Sequence, residues 1–450
     1  MNTSRDVAVI GGGPSGMTAA LLLARSGHRV RLFEGASELG GLWATRLDAD
    51  GHYQGENSCK VFQSTYHSAP ALFRLIGTRW QDHFVARHDL RSQWLDPFLA
   101  DSSLADLAKM GWAFALYMTG IRSHKDVSVE HWLERNKLSE ACQAWIRATA
   151  LGAVTGTLRM TVWELLYRFR RNLDCVFLAR DRVLFWNKQP PNVPGGFVSV
   201  WHRALERLGV EITVNASVSG LEQGPDTVII KTADGARHAA GAVFLAVPPP
   251  ALSRLMAESS DGIATGFGHS RESLATLLRE SVYQHFGLAW FFDRPLPNDL
   301  PLGGHNVRNG WYPILIQHSQ YAPYLPEPAV TVVVGSVSLA TDFVHPVYGN
   351  RARDHSPEEL ARILWEDERR ADPTLPEPIG VRALGVSSAT QIVHHGALPV
   401  RAASSEVYIA TSLNGQAPYF TSSLESAIQA GAAAAASFDP LVERLPVVGD

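Results

Sequence analysis

The sequence predicts an α/β protein built on a parallel sheet with helices on both faces, and three observations carry that expectation. First, Val7, Val9 and Ile10 form a short apolar strand. It runs into Gly11-Gly12-Gly13-Pro14-Ser15-Gly16, a helical pattern over 17–24 closing near Gly27, and a second strand over 30–33. Second, 242–247 is a wholly apolar run stopped by Pro248-Pro249-Pro250, as expected of a strand in the middle of a sheet covered on both sides. Third, a late strand over 407–410 precedes a loop and a helical pattern over 424–437. A chain of 450 residues is too long for one simple domain and implies two or three lobes.

Each glycine of the first loop has its own task. Gly11, Gly13 and Gly16 fit G-x-G-x-x-G after a strand and at the opening of a helix, with an acid, Glu34, about 20 residues on. Gly11 permits the tight turn, Gly13 lets the backbone approach a pyrophosphate, and Gly16 lets the helix pack on the strand. The helix N-terminus offers N–H groups and its positive dipole end to the phosphates. Glu34 is placed to accept hydrogen bonds from a ribose, and its charge repels a 2′-phosphate. That selects FAD or NAD over NADP.

Further along, 127–171 reads as helical, with Trp132, Leu133, Trp145, Ile146, Trp163, Leu165 and Leu166 at helical spacings. Pro190, Pro191 and Pro194 break the chain before Gly195-Gly196. A helix over 197–208 follows, then strands over 210–214 and 218–221 and a hairpin, 227–232 with 237–239, about Asp234-Gly235. Strands over 283–292 and 330–337 and a helix over 357–370 complete the pattern. The economical division is a discontinuous nucleotide domain from 1–60, 191–255 and 401–450, with 61–190 and 256–400 supplying the substrate lobe.

A net charge of -4 and a pI near 6.5 give no reason to expect nucleic acid as a partner. Cys59, Cys142 and Cys175 are scattered with no C-x-x-C spacing. This fits a reducing cytosol and excludes a thiol zinc site or a disulfide framework, and no metal is expected. A strand begins within seven residues of Met1, so no signal peptide is expected and a cytoplasmic location is. The uncharged run 110–121 is too short to span a bilayer. It reads as a buried helix or channel wall, with monotopic membrane contact as the less favoured alternative.

Three stretches together resemble the flavin amine oxidase, phytoene desaturase and protoporphyrinogen oxidase superfamily. In 7–41, Gly40-Gly41 follow Glu34 as the family's second glycine pair does. Pro194-Gly195-Gly196-Phe197 through Pro248 is similar to the family's helix, hairpin and return strand ending in prolines. Val407-Tyr408-Ile409-Ala410, then Ser423-Leu424-Glu425-Ser426-Ala427-Ile428-Gln429-Ala430-Gly431, is similar to its closing strand and S-x-E-G-A-x-x-S-G helix start. The resemblance implies a discontinuous Rossmann-like FAD-binding domain, a mixed α+β substrate lobe and noncovalent FAD. It assigns cofactor contacts to Gly11, Gly13, Pro14, Ser15, Gly16, Glu34, Gly40, Gly41, Leu42, Trp43, Val218, Val247, Ser412, Ser423, Leu424 and Ala427. The last helix would point N–H groups at the flavin's N1–C2=O edge, where its dipole favours negative charge. Glu425 reads equally as a flavin neighbour or as a first-turn acid favourable to its own helix.

Departures from the family bear on subtype. Thr411-Ser412 stands where the family has Gly-Asp or Gly-Glu, and Leu42 replaces the usual Arg after the glycine pair. Amine oxidases of the superfamily place a Lys in the substrate lobe and a Tyr near the start of the last helix. Here no Lys follows Lys231, and Ser423 holds the tyrosine's place. The late cysteine used elsewhere for covalent flavin attachment is absent too. These departures weigh against simple amine oxidation, and Gln416-Ala417-Pro418-Tyr419-Phe420 looks more like the desaturase-type loop.

The expected chemistry is hydride transfer from a substrate C–H to flavin N5, leaving a C=C or C=N bond, on a small or medium, mostly apolar molecule such as secondary metabolism handles. No second G-x-G-x-x-G occurs, so oxygen, a quinone or another carrier, not bound NAD(P)H, is expected to accept the electrons. Candidate catalytic residues are His394 and His395, either of which could serve as a base near neutral pH, and Tyr419, which with Phe420 could wall the substrate. Arg294 or Arg308 could pair with a substrate carboxylate, whereas Trp290-Phe291-Phe292 and Trp311-Tyr312 read as core. Two other readings stand beside this one. One is an FAD-dependent isomerase, in which the hydride leaves and returns. The other is a flavin-free lipid and protein escort of the GDP-dissociation-inhibitor type, against which the intact Gly11, Gly13, Gly16 and Glu34 speak. An NAD-dependent dehydrogenase would require both later stretches to be coincidence.

Overall fold

The computed structural model describes residues 4–447 apart from 58–59, 122–123, 153–157, 179–182, 302–310, 340–343, 346, 391–397 and 418–422. The strands that frame the molecule are, in chain order, β1 (Asp6–Ile10), β2 (Arg29–Phe33), β3 (Tyr53–Glu56), β4 (Glu211–Thr213), β5 (Val218–Gln223), β6 (Val228–Thr232) and β7 (Arg237–Ala240). They continue with β8 (Ala242–Leu245), β9 (Val282–Phe292), β10 (Ile314–His318), β11 (Thr331–Ser338), β12 (Gly380–Thr390) and β13 (Val407–Ile409). The main helices are α1 (Pro14–Arg25), α2 (Ser68–Leu75), α3 (Leu104–Met118), α4 (Val129–Asn136), α5 (Glu140–Arg147) and α6 (Val162–Phe177). After them come α7 (Phe197–Arg207), α8 (Pro249–Ala257), α9 (Pro357–Ala371) and α10 (Leu424–Phe438).

The first sheet is parallel throughout, in the order β13-β8-β1-β2-β4. Its strands come from three distant parts of the chain. The register sets Val7 beside Val30 on one side and Ala242 on the other, and Val243 beside Val407. β8 is buried along its whole length, which is why its sequence carries no polar residue. The prolines after it do more than stop a strand: Pro249 opens α8, where a missing N–H costs nothing. β5, β6 and β7 form a small antiparallel sheet whose tight turn uses Gly235 at φ +88°.

A second, antiparallel sheet, β10-β11-β9-β12, backs onto α9. Trp290 and Phe292 of β9 pack against Trp365 of α9, and the Trp290 ring N–H donates to Ala361 O at 3.0 Å. Trp290, Phe292 and Trp311 are therefore core, as their spacing suggested.

The helical stretch over 127–171 is divided into α4, α5 and the start of α6. Each begins on a hydroxyl cap: Ser128 accepts from the His131 N–H, Ser139 from Cys142 and Thr161 from Glu164.

The expectation of a buried helix over 110–121 is overturned. α3 lies on the surface, with Met110 and Ala113 turned inward while Leu104, Trp112 and Met118 face solvent. Its apolar residues occupy both faces, and the inner face is shared with the buried carboxylate of Asp106, which accepts from Ser103 and Ser139. Composition alone could not tell which stripe would be covered. Among the described residues, no helix is long and apolar enough to cross a membrane.

α1 and α10 each press a glycine onto backbone, α1 at Gly16 on the loop after β1 and α10 at Gly431 on the start of α1. A Cβ on Gly16 would lie 1.9 Å from Gly11 O and 3.0 Å from Ala246 Cβ. One on Gly431 would lie 2.1 Å from Ser15 O. Backbone cannot yield as a flexible side chain can. Gly431→Ala is accordingly expected to displace α10 and lower stability by roughly 1–3 kcal/mol, read as a fall in the thermal midpoint; Gly27→Ala at an open turn tests backbone strain alone.

Candidate functional site

A cavity of about 860 Å³ begins at the C-terminal ends of β1 and β2, the usual place for a ligand of an open parallel sheet, and continues toward the antiparallel sheet. Gly11, Gly13, Pro14, Ser15, Glu34, Gly41, Leu42 and Trp43 line it from the first segment. Val218 and Val247 line it from the second, and Ser412, Ser423 and Ala427 from the last.

Three expected contacts stand behind the wall. Gly16 is consumed by the α1–β1 approach, and Gly40 holds a left-handed turn (φ +118°) with its N–H on Gly12 O. Leu424 is fully buried in the apolar core. His394, His395, Tyr419, Phe420 and Arg308 lie outside the described residues. Arg294 is a surface residue paired with Asp293.

The dinucleotide end is organised by backbone. α1 begins at Gly13 with no side-chain cap and no acid in its first turn, so the positive end of the helix faces the cavity uncompensated. Gly11 has φ +106°, and a Cβ there would meet Ala246 O at 2.5 Å. Gly13 differs. Its φ of -75° suits any residue, and an added Cβ would meet only Gly41 Cα, at 3.9 Å. Among the described residues nothing demands a glycine at this cavity-lining position, and its absence of a side chain leaves the backbone open to a close-lying ligand. Glu34 accepts the N–H of Gly12 at 2.6 Å through one oxygen and that of Ala36 at 2.8 Å through the other, which fixes the carboxylate at the mouth of the loop. It thereby holds the loop as well as facing the cavity.

The last segment closes the opposite wall. Thr411 lines the cavity, and its buried hydroxyl has no partner among the described residues. Ser423 caps α10 by accepting the Ser426 N–H at 3.1 Å, so part of that helix end is satisfied from within the chain. Glu425 lies in the first turn of α10, as one of its two readings has it, and does more there than favour its own helix. Its carboxylate is fully buried and reaches the start of α2, accepting the N–H groups of His67 (3.0 Å), Ser68 (2.7 Å) and Ala69 (2.9 Å). Gln429 donates to it as well, at 3.0 Å. Glu425 caps a helix more than 350 residues away in sequence, a role that first-turn position could not reveal.

Beyond Trp43 the cavity meets residues that sequence reasoning did not select: Lys60, Val61, His285, Ile314 and Ser388. Lys60 is buried and paired with the fully buried Glu56, Nζ to Oε2 at 2.5 Å, and the Tyr321 hydroxyl donates to Glu56 Oε1 at 2.9 Å. His285, on β9, sets Nε2 3.0 Å from the Asn57 carbonyl, a pairing in which the ring nitrogen donates. Burial, reinforced by the charge of Lys60, pushes this imidazole down to about 4, so it is neutral near pH 7. The only sequence signal was the spacing of Glu56 and Lys60, which would have meant little without knowledge of their burial.

The uncapped helix end, the glycine left open to a close-lying ligand and the unsatisfied Thr411 hydroxyl fit a long dinucleotide held by all three segments. Residues 14–266 match the family model of flavin containing amine oxidoreductases. The chain belongs to that family of FAD-dependent oxidoreductases, and its cofactor is FAD. It is 25% identical over 268 residues to AofH of Mycobacterium tuberculosis, designated a flavin-containing monoamine oxidase; the match covers 54% of this chain and 57% of AofH. It thus spans a little over half the length of that curated relative. A putrescine oxidase variant superposes with TM-score 0.65 at 16% identity, covering 97% of this chain and 98% of the other. A fatty acid isomerase from P. acnes does so with TM-score 0.61 at 13% identity, over 98% and 99%. These two likenesses establish the shared fold.

Two outcomes test this geometry. Glu425→Ala removes the acceptor of three N–H groups at the start of α2 and is expected to cost roughly 2–4 kcal/mol in urea unfolding, with Glu425→Gln costing less. The second concerns acid. An imidazole depressed from 6.5 to about 4 in the folded state leaves the unfolded chain binding more protons across that range, so stability falls as pH drops from 6.5 toward 4. His318, pushed by burial to about 3, acts in the same direction. His285→Gln should make the decline in unfolding free energy, read by urea denaturation, shallower by up to about 1.4 kcal/mol per pH unit.

Proposed function

We propose that this protein is an FAD-dependent oxidase or desaturase that removes a hydride from a C–H of a small or medium, mostly apolar substrate. The observation that carries the reading is Gly13, a cavity-lining glycine that the protein's own packing does not require. FAD, when bound, supplies the hydride acceptor. The chain's part is to hold and to exclude. When FAD is bound, the uncapped N-terminus of α1 would hold its pyrophosphate and Glu34 would take a ribose, while Thr411, Ser412 and the start of α10 border the far part of the cavity. Trp43, Leu42, Val61 and Ile314 give the substrate side apolar walls that keep water from the reacting carbon. Oxygen, a quinone or another carrier then takes the electrons.

The test is anaerobic mixing of the FAD-loaded protein with a panel of apolar C–H donors, followed by readmission of oxygen. Bleaching near ~450 nm that reverses with oxygen uptake supports the oxidase. A substrate converted with no oxygen uptake and no net oxidation supports the isomerase instead. A further expectation separates cofactor approach from folding. Gly13→Val should leave the thermal midpoint of the FAD-free protein nearly unchanged yet weaken FAD retention at least ~10-fold.

A further inference from the structure

Resting on the reading of this cavity as a flavin site, the charges on its wall bear on how the dinucleotide is held. Glu34 and Glu258 are the two carboxylates on the described lining, and Lys60 and Arg254 are its two lysine or arginine residues. Lys60 is matched by Glu56, Nζ to Oε2 at 2.5 Å, and both are buried. Arg254 differs on both counts. It is exposed, and among the described residues it has neither a hydrogen bond nor an ion pair.

Arg254 stands on α8, which leaves Pro248 beside the glycine loop, where a Cβ on Gly11 would already meet Ala246 O. Ala251, Arg254, Leu255 and, at the cap, Glu258 all line the cavity, and their spacing places them on one face of that helix. A cation in the last turn of a helix ordinarily answers the carbonyls there. On α8 other residues do so: Arg271 donates to Met256 O and Ala257 O, and Lys231 to Glu258 O. Local structure therefore gives Arg254 no task.

A diphosphate brings two negative charges to a wall that already carries Glu34 and Glu258. The uncapped end of α1 offsets about half a charge. Lys60 adds little to the balance, because Glu56 neutralises it. A guanidinium supplies the missing charge in a planar form that can bond two phosphate oxygens at once.

We propose that Arg254 is a cofactor-binding residue whose guanidinium pairs with the diphosphate of the dinucleotide, reaching it from α8 while α1 receives it on backbone N–H groups.

The experiment uses the FAD-loaded wild-type protein, Arg254→Ala and Arg254→Lys. Retention is read from the fluorescence of flavin released on dilution, at ~50 and ~500 mM NaCl. Arg254→Ala should weaken FAD retention at least ~10-fold at the lower salt and by a smaller factor at the higher, with Arg254→Lys staying within a few-fold of wild type. Dissociation constants for ADP and adenosine follow from their displacement of FAD. That of ADP should rise about 10-fold in Arg254→Ala, whereas that of adenosine, which carries no phosphate, should not change. Unchanged adenosine binding also shows that the variant keeps its fold. Retention by Arg254→Ala within about two-fold of wild type, a loss equal at both salts, or an equal loss for adenosine overturns the proposal. Flavin bands keep this apart from the reading on which it rests. Their absence from loaded wild-type protein refutes the flavin site and the proposal with it, whereas bands with unchanged retention in Arg254→Ala refute the role of Arg254 alone.

Discussion

The site depends on one kind of contact, helix backbone pressed directly on backbone. At Gly16, α1 settles onto the loop leaving β1 and the end of β8; at Gly431, α10 settles onto the first turn of α1. Any side chain at these two points would occupy the space of a peptide group. The same closeness lets the Ser15 hydroxyl donate to Ala410 O, tying the loop after β13 to the helix that opens the cavity. Residues 6–33, 242–247, 407–417 and 423–431 thus become one surface. The uncapped α1, the Thr411 hydroxyl and Ser423 all inherit their positions from that surface.

Glu425 extends this dependence outward. Its carboxylate anchors α2 to α10 by accepting three N–H groups at the start of α2, those of Ser68 and Ala69 buried. The close packing at Gly431 and the cap at Glu425 lie on one helix less than two turns apart. Displacing α10 therefore disturbs both the cofactor cradle and the chain that leads toward the substrate side.

The cradle was legible because its requirements are local. A glycine loop, an acid after the second strand and a late strand and helix each write themselves into a few consecutive residues. β8 was legible because complete burial forbids polar residues. The substrate side was not. Lys60 and His285 are 225 residues apart in sequence, and their juxtaposition follows from β9 crossing the segment after β3, where the His285 ring meets Asn57. The low pKa of His285 comes from burial, which a single sequence does not display. The outward face of α3 was misjudged for the complementary reason: apolar residues on both stripes of a helix do not say which stripe meets a neighbour.

The central claim, that three segments converge to hold FAD without a covalent bond, is tested most directly by the visible spectrum of the purified protein before and after acid precipitation. The account predicts bands near ~370 and ~450 nm that pass entirely into the supernatant. Colour kept in the pellet would contradict noncovalent binding. A colourless protein that takes up no added FAD would contradict the cradle itself.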